Sequence, residues 1–299
     1  MSGSEKGGKR KSIIVTGGAS GIGLSMVRHF LSQGHSVAVL DIISGQQSVV
    51  AQKLSAEYPG GSAKVSFHQC DVSSWEEQAA VFRRVYELHG GLDVCMANAG
   101  ISEGATSSLI TLEESSGSGG ETGGTGGAGE CSKPKLKVVD VNFVGVIYTV
   151  KLAIHYMNQK PKTPTGSGSG SRGSIICTAS NAGIYPFATA PLYAATKAGV
   201  IGLVRSTARN LESVNIQINA LAPAVLDTNI APDKKLFKHM IVTPMSTLIA
   251  GVEKFLGDPS LSGEVAEIHG DSVSLRASPE WVDEDSRKNV EMFWTLGYA

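Results

Sequence analysis

The chain has almost no net charge and few cysteines, and each shortage excludes a class of protein. Its 26 Lys and Arg residues are balanced by 27 Asp and Glu residues, for a formal net charge of -1. It therefore has no overall basic field with which to hold nucleic acid or an anionic membrane. The cysteines, which form no CxxC pair and have no metal-ligand spacing, are Cys70, Cys95, Cys131 and Cys177. This pattern argues against a disulfide framework or a metal site and favours a reducing compartment, so we expect a cytoplasmic protein.

Long apolar runs are also absent. No run reaches the roughly 18 residues of a membrane span, and residues 1–11 are polar with no apolar signal segment behind them. With 41% apolar and 18% charged residues, the composition is typical of a soluble globular chain with a sizeable core. We expect a flexible amino terminus over residues 1–11 and no membrane span.

Glycine is the residue type in clear excess. The chain has 36 glycines, against about 21 at the average frequency of about 7%. Eight of them lie in residues 115–129 and four in residues 163–173, and both segments have too little apolar surface to offset the entropy of ordering. We expect flexible insertions at about residues 115–130 and 163–173.

Short apolar runs alternate with amphipathic stretches of helical length. The runs that predict strands are residues 12–16, 36–41, 64–69, 92–97, 174–178, 216–221 and 264–269. The stretches that predict helices are residues 22–33, 46–58, 75–89, 133–159, 191–211 and 244–256. Because several strands are continuously apolar, they should be buried on both faces of a parallel sheet. We expect one α/β domain over residues 12–270, with a doubly wound seven-stranded parallel sheet, helices on both faces and a carboxyl-terminal tail over residues 271–299.

A glycine-rich loop, TGGASGIG at residues 16–23, follows the first predicted strand and leads into a helix. Gly17, Gly21 and Gly23 allow a tight turn, a close approach of the backbone to a diphosphate, and close packing of the helix on the sheet. The helix amino terminus adds N–H donors and a positive dipole. The loop, with Ser20 and Ile22, therefore predicts a dinucleotide site.

Two acids follow the next two strands. Asp41 stands 18 residues beyond Gly23, where a carboxylate accepts hydrogen bonds from ribose hydroxyls and repels a 2′-phosphate. No Arg follows Asp41, and Ser20 stands where a basic residue would favour the phosphate, so we expect NAD rather than NADP. The alternative is a solvated acid at a strand end. Asp71 is placed to meet the adenine amino group, and its alternative role is a cap of the following helix.

Ser180, Tyr193 and Lys197 follow the fifth predicted strand. The spacing of four places Tyr193 and Lys197 on one helix face, about one turn apart, so that the ammonium can stabilise a tyrosinate. A phenol with a pKa of about 10 is a weak base at neutral pH, and a neighbouring Lys and a positive nicotinamide ring would lower that pKa. This is the chemistry of an alcohol dehydrogenase that uses no metal.

Together these motifs resemble the short-chain dehydrogenase/reductase family, which has a Rossmann fold, over roughly residues 10 to 270. The matching residues are 16–23, Asp71, Val72, Asn98, Ala99, Gly100, Asn142, Ser180, Tyr193, Lys197 and 219–223. The resemblance implies that Tyr193 is the acid/base, that Ser180 binds the substrate oxygen, and that Lys197 binds the nicotinamide ribose. It also implies that Asn142 holds a water for proton relay. The cofactor residues that it implies are Gly17, Ser20, Gly21, Ile22, Asp41, Asp71, Val72, Asn98, Ala99, Gly100, Tyr193, Lys197, Pro223, Val225 and Thr228.

Within the family, residues 241–246 together with Asp41 resemble the NAD-dependent 15-hydroxyprostaglandin dehydrogenase-like branch. Two positions depart from the family pattern. Ala97 stands where a second Asn is common, which is expected to loosen a hydrogen bond that braces the strands. Ala224 replaces the usual Gly after Pro223, which is expected to displace the nearby backbone, while Thr228 remains available for the nicotinamide carboxamide.

Apolar side chains near the catalytic residues predict a lipophilic pocket, although each would serve equally in the core. The candidates are Ile184, Tyr185, Phe187, Val225, Leu226, Phe237, Met240, Ile241 and Met245, of which Tyr185, Phe187, Leu226 and Met240 are the best placed. His155 and His239 are candidate polar contacts or structural residues. The aromatic tail from Trp281 onward would dock on a neighbouring subunit, cover the pocket, or pack as a terminal segment.

The sequence thus predicts an NAD-dependent enzyme that interconverts a lipophilic secondary alcohol and its ketone. The alternatives are a biosynthetic ketoreductase or reductive cyclase, and a catalytically idle protein that senses dinucleotides. By analogy with the family, residues 133–159 and 191–211 should form the interface of a homodimer or homotetramer.

Overall fold

The structure is a computed structural model that describes residues 10–43, 47–58, 64–104, 109, 132–160, 171–228 and 234–297. Three predicted features lie wholly or largely outside these described residues. The insertion predicted at about 115–130 lies outside the described residues, as do residues 163–170 of the second insertion and residues 1–9 of the amino terminus.

Within the described residues, eight strands form one sheet. They are β1 (Ser12–Thr16), β2 (Ser36–Asp41), β3 (Lys64–Gln69), β4 (Val94–Ala97), β5 (Gly173–Thr178), β6 (Ile216–Pro223), β7 (Val265–His269) and β8 (Ser272–Leu275). The order is β3-β2-β1-β4-β5-β6-β7-β8, and β1 to β7 are parallel. The α/β doubly wound class is therefore confirmed.

The predicted strand number needs a correction, because β8 pairs antiparallel with β7 and makes the sheet eight-stranded. This strand has only four residues, and none of them is fully buried. It therefore lacks the continuous apolar run by which the other strands were predicted. The sheet extends to Leu275, beyond residue 270, where the predicted domain ends.

The helices are α1 (Gly21–Ser32), α2 (Gln47–Glu57), α3 (Trp75–His89), α4 (Lys137–Asn158), α5 (Pro191–Leu211), α6 (Met245–Gly257) and α7 (Glu284–Thr295). Helices α3 and α5 have the predicted bounds. Helix α7 lies in the predicted tail and was not predicted as a helix. It begins after Asp283, whose side chain accepts a hydrogen bond of 2.7 Å from the Ser286 N–H, an ordinary helix cap.

The core has two parts, one on each face of the sheet. Successive residues of β1 alternate between them, since Ile13 and Val15 pack with Phe30 of α1, whereas Ile14 packs with Phe82 of α3. The strand order reverses between β1 and β4, which are hydrogen-bonded neighbours. In doubly wound sheets, ligands bind outside the carboxyl ends of the strands at this reversal.

Helix α4 is the one helix among the described residues that is long and apolar enough to cross a membrane, and half of its most apolar window is buried within the protein. Buried Gln78 of α3 donates a hydrogen bond of 3.0 Å to the Gly145 carbonyl and accepts one of 2.8 Å from the Thr149 hydroxyl. The helix thus packs as a core helix. A π-helical turn over Asp140–Val144 interrupts it, and such turns often mark functional sites.

Candidate active site

The glycine loop between β1 and α1 is shaped to receive an anion. Gly17 and Gly21 have φ angles of 63° and 50°, which side chains with a Cβ rarely adopt. A Cβ at Gly23 would lie 2.1 Å from the Gly17 oxygen. Helix α1 begins without a side-chain cap and has no acid in its first turn, so no carboxylate opposes an anion there. The loop residues Ser20 and Ile22 flank Gly21. These features fit the diphosphate of a dinucleotide.

Asp41 lies at the carboxyl end of β2 and is 8% exposed. Its carboxylate accepts hydrogen bonds from the Ala19 N–H at 3.0 Å and the Ile43 N–H at 3.3 Å. The structure thus excludes the solvated-acid alternative. Because a carboxylate has about four acceptor positions, these two bonds leave capacity for ribose hydroxyls.

Asp71 follows β3 and closes a turn. Its carboxylate accepts hydrogen bonds from the Ser73 N–H at 2.9 Å and the Ser73 hydroxyl at 2.6 Å, and it pairs with Lys137 at 3.2 Å. Although burial acts to raise the pKa of Asp71, the bonds from Ser73 and Lys137 hold it below its ordinary value. The cap of α3 is Ser74 instead, which accepts from the Glu77 N–H. The adenine contact of Asp71 and the cofactor role of the buried Val72 stay predictions.

Asn98, directly after β4, braces two other strands. Its side-chain amide donates to the Thr16 carbonyl at 3.0 Å, and its side-chain oxygen accepts from the Thr178 hydroxyl at 3.1 Å. The backbone of the next residue, Ala99, approaches Gly17 so closely that a Cβ on Gly17 would lie 2.9 Å from the Ala99 Cα. Asn98 and Ala99 thus line the glycine loop, and Asn98 braces β1 and β5 although Ala97 carries no amide.

The structure brings Ser180, Tyr193 and Lys197 together. The Ser180 side chain lies close enough to that of Tyr193 to lower its pKa, and the Lys197 Nζ lies 5.6 Å from the centre of the Tyr193 ring. Lys197 is 3% exposed, and its ammonium donates a hydrogen bond of 2.8 Å to the Thr178 carbonyl. A substrate oxygen at the Tyr193 hydroxyl would therefore meet a second hydroxyl and a nearby cation.

Burial is the main cause of the pKa shifts of Tyr193 and Lys197. Burial raises the pKa of Tyr193 above its ordinary value, and the hydrogen bond with Ser180 opposes this rise. Burial lowers the pKa of Lys197 to about 8. The expected lowering of the Tyr193 pKa by Lys197 is thus not seen in the protein alone, because desolvation of the buried phenol outweighs the opposing effect of Ser180.

Asn142 lies in the π-helical turn of α4 and is fully buried. Its side chain forms two hydrogen bonds with the backbone of Ile101, one from the Ile101 N–H at 2.8 Å and one to the Ile101 carbonyl at 2.9 Å. A Cβ at Gly100 would lie 3.4 Å from the Asn142 Oδ1 and 3.5 Å from the Lys197 Nζ. The fourth predicted catalytic residue therefore lies close to Lys197, with Gly100 between the two side chains.

The segment after β6 reaches the glycine loop. Pro223 is the last residue of this strand, and the Ala224 N–H remains bonded to the Ile268 carbonyl at 2.9 Å. The Val225 carbonyl accepts from the Thr243 N–H at 2.7 Å. Buried Thr228 faces Gly21, since a Cβ there would lie 3.4 Å from the Thr228 Cβ. Thr228 is thus beside the glycine loop, and its contact with the nicotinamide carboxamide stays a prediction.

The predicted pocket residues separate into two groups. Tyr185, Phe187 and Met240 are 46%, 47% and 45% exposed, so they are available to an apolar ligand. Leu226 is a correction: it is 5% exposed and packs in the core with Leu248 and Ile268, because its side chain turns toward α6. An apolar residue in a sequence does not reveal which way it faces.

The two candidate histidines are both exposed. His155 is exposed on α4 and is hydrogen-bonded to Gln159 at 2.7 Å, and His239 is exposed. Among the described residues, no group of three or more His, Cys, Asp or Glu side chains is arranged to hold a metal ion.

Sequence reasoning missed Thr178, which bonds both Asn98 and the Lys197 ammonium, and it did not foresee the bond between Asn98 and Thr16 of the glycine-rich motif. The available signal was their position. Each is the last residue of a parallel strand, and the carboxyl ends of such strands meet at one edge of the sheet.

Lys197 gives a prediction for stability against pH. Its pKa is about 8 in the folded protein and 10.5 ordinarily, so between these values the folded state binds fewer protons. The free energy of unfolding should therefore rise with pH through this window, relative to a Lys197→Met variant that lacks the ammonium. Denaturant titrations at several pH values across the window measure the difference. Exposed Lys254 supplies a matched control, Lys254→Met, and an equal pH dependence in wild type and Lys197→Met would contradict the prediction.

A doubly wound sheet, a glycine loop at its reversal point and an adjoining Ser, Tyr and Lys cluster define an α/β oxidoreductase that uses a dinucleotide. The family described as short chain dehydrogenase matches residues 11–238. The chain belongs to this family, whose members act on CH–OH groups with a nicotinamide dinucleotide cofactor.

Three relatives show how the chain compares with known members. The short-chain dehydrogenase/reductase prx6 of Penicillium rubens is 33% identical, over 87% of this chain and 81% of that protein. The 5'-hydroxyaverantin dehydrogenase of Dothistroma septosporum is 29% identical, over 95% of this chain and 89% of that protein. The 15-hydroxyprostaglandin dehydrogenase (NAD(+)) of Bos taurus is 27% identical, over 86% and 90%, a more distant likeness than that to prx6. This chain covers 56% of the length of two longer Penicillium relatives, both called prx4.

Solved structures share the fold. A short-chain type dehydrogenase/reductase from Mycobacterium marinum has a TM-score of 0.67 at 23% identity, covering 87% of this chain and 94% of that one. A short chain dehydrogenase from Burkholderia cenocepacia, solved in complex with NADP, has a TM-score of 0.66 at 24% identity, covering 87% and 96%.

Proposed function

We propose that the protein is an NAD-dependent oxidoreductase that interconverts a lipophilic secondary alcohol and its ketone. The observation that carries this proposal is the cluster in which the Tyr193 side chain meets that of Ser180, with the Lys197 ammonium 5.6 Å from the ring centre. It offers a proton donor or acceptor, a second hydroxyl and a cation at one point, which the interconversion of C–OH and C=O requires.

Each residue has a defined part in this reaction. Tyr193 takes the hydroxyl proton of the alcohol in oxidation and returns it to the carbonyl oxygen in reduction. Ser180 hydrogen-bonds the same oxygen, and Lys197 provides positive charge that favours the tyrosinate. Bound NAD supplies the hydride acceptor, or NADH the donor, for the carbon atom. The residues that would hold the dinucleotide are those of the glycine loop, Asp41, Asn98 and Thr228.

A panel of lipophilic secondary alcohols and ketones tests the proposal, with the absorbance of the reduced nicotinamide as the readout. Exposed Tyr185, Phe187 and Met240 support an apolar substrate. The 5'-hydroxyaverantin dehydrogenase relative favours a biosynthetic reaction as a second candidate, and product analysis separates a cyclised product from a simple alcohol or ketone. Binding of NAD without turnover of any panel member would favour a dinucleotide sensor and contradict the proposal.

The preference for NAD rests on Asp41. Loss of its negative charge removes ribose contacts and the repulsion of a 2′-phosphate, so Asp41→Asn should lower the ratio of kcat/KM for NAD to that for NADP by about 10-fold or more. Initial rates with each cofactor measure the ratio. The control is Asp285→Asn at an exposed acid of α7, which should leave the ratio unchanged. A wild-type enzyme that prefers NADP would overturn the assignment.

Two further proposals concern the assembly, which follows the family, and the location, which follows the cysteines. Helices α4 and α5 would form the interface of a homodimer or homotetramer, and a monomer by light scattering would exclude it. A cytoplasmic location is proposed from the few, widely spaced cysteines; the described ones, Cys70, Cys95 and Cys177, are buried free thiols. Fractionation of source cells tests the location, and recovery in a secreted fraction would contradict it.

A further inference from the structure

Helix α5, which carries Tyr193 and Lys197, begins without a cap of its own. The residue before it is Ala190, which has no side-chain oxygen, and Pro191 at the first position has no N–H. The Ala194 N–H bonds to the Ala190 carbonyl at 3.0 Å. The donors of the first turn that the helix itself does not satisfy are therefore those of Leu192 and Tyr193.

A carboxylate from a distant part of the chain supplies the missing acceptor. The Tyr193 N–H donates a hydrogen bond of 2.9 Å to the Glu103 Oε2, across 90 positions of sequence. Glu103 is partly buried and lies in the segment that follows β4. A negative charge at a helix amino terminus is favoured both by the N–H group and by the helix dipole. Glu103 thus acts as a cap for the helix of the catalytic tyrosine.

The same segment also holds Asn142. Two residues before Glu103, the backbone of Ile101 forms its two hydrogen bonds with the Asn142 side chain. Three consecutive residues, 101–103, therefore connect the π-helical turn of α4 to the first turn of α5. Both ends of this connection are residues of the catalytic cluster.

We propose that Glu103 is a positioning residue that holds Tyr193 in register with Asn142 and Lys197. This inference rests on the proposed function, because it assigns Glu103 to the reaction in which Tyr193 is the acid/base. Glu103 acts through the backbone of Tyr193. Loss of its carboxylate should free the first turn of α5 and allow the phenol to leave the orientation that proton transfer requires.

Two substitutions at Glu103 test the inference. Glu103→Ala should lower kcat by about 10- to 100-fold, as expected for a small displacement of a reacting group, with the KM for NAD changed by less than about 3-fold because the glycine loop is untouched. Glu103→Gln keeps an oxygen acceptor and should recover most of kcat. Glu280→Ala, at an exposed glutamate near the carboxyl terminus, is the matched control and should behave as wild type.

Hydrogen exchange at the Tyr193 amide provides a readout that needs no substrate. Exchange should be faster in Glu103→Ala than in wild type and Glu103→Gln. Unchanged exchange in Glu103→Ala would overturn the cap, and faster exchange with unchanged kcat would overturn the positioning role. Equal losses of kcat in the Ala and Gln variants would also overturn it, since an acceptor would then be insufficient. If the wild-type enzyme oxidises no alcohol, the proposed function fails, and exchange at Tyr193 still decides whether Glu103 caps α5.

Discussion

Replacement of Tyr193 by Phe should lower kcat by about 10²- to 10⁴-fold, the usual contribution of a general acid/base. The substitution removes only the hydroxyl that would exchange a proton with the substrate. The ring stays in place, and so do the Lys197 bond to the Thr178 carbonyl and the Tyr193 N–H bond to Glu103. NAD binding should therefore persist. Steady-state rates with the best alcohol of the panel, together with calorimetric titration of NAD, measure the two effects separately.

Tyr185 offers a control for this experiment. Its hydroxyl donates a hydrogen bond of 3.1 Å to Glu267, and it belongs to the predicted apolar pocket. Tyr185→Phe also removes one phenolic hydroxyl, but it should leave kcat within about 10-fold of wild type because that hydroxyl is not the proton carrier. Ordinary turnover by Tyr193→Phe with intact NAD binding would show that the assigned mechanism is wrong.

Gly23→Ala should abolish measurable NAD binding and destabilise the protein. The added Cβ would lie 2.1 Å from the Gly17 oxygen and 2.8 Å from its carbonyl carbon, and backbone atoms cannot rotate away as a side chain can. Helix α1 must therefore move off the loop, at a typical cost for overpacking of about 1–3 kcal/mol. This corresponds to a fall in Tm of roughly 2–12 °C for a domain of this size. Thermal unfolding and calorimetric titration with NAD measure these effects.

Gly257 provides a control that distinguishes the clash at Gly23 from a general effect of replacing Gly by Ala. Gly257 ends α6, has no positive φ, and has nothing within 4 Å of its Cβ position. Gly257→Ala should leave NAD binding unchanged and raise the free energy of unfolding slightly, by about 0.4–1 kcal/mol, through a less flexible unfolded chain. Normal NAD affinity in Gly23→Ala would contradict the assignment of the loop to the diphosphate.

The elements that sequence reasoning placed correctly carry their signals locally. Helix α3 has the predicted bounds because Ser74 precedes its apolar periodicity and Gly90 follows it with a φ of 72°. Helix α5 begins at Pro191, a residue suited to the first position. Strands β1 and β2 are continuously buried, so their apolar runs were visible. In contrast, β8 is short and partly exposed, and no run indicates it.

The sequence by itself determined the alternation of strands and helices and the glycine loop, because each depends on residue types at short, regular spacings. It also indicated the Ser180, Tyr193 and Lys197 set, because these residues stand in the order of the family that the motifs resemble. Only the tertiary structure decided that Leu226 belongs to the core, that Asp41 is buried, and that Glu103 caps the helix of Tyr193. These features depend on contacts between residues far apart in the chain, and such contacts leave no periodic pattern in the sequence. Composition and spacing thus indicate the chemistry, whereas packing determines which side chains reach it.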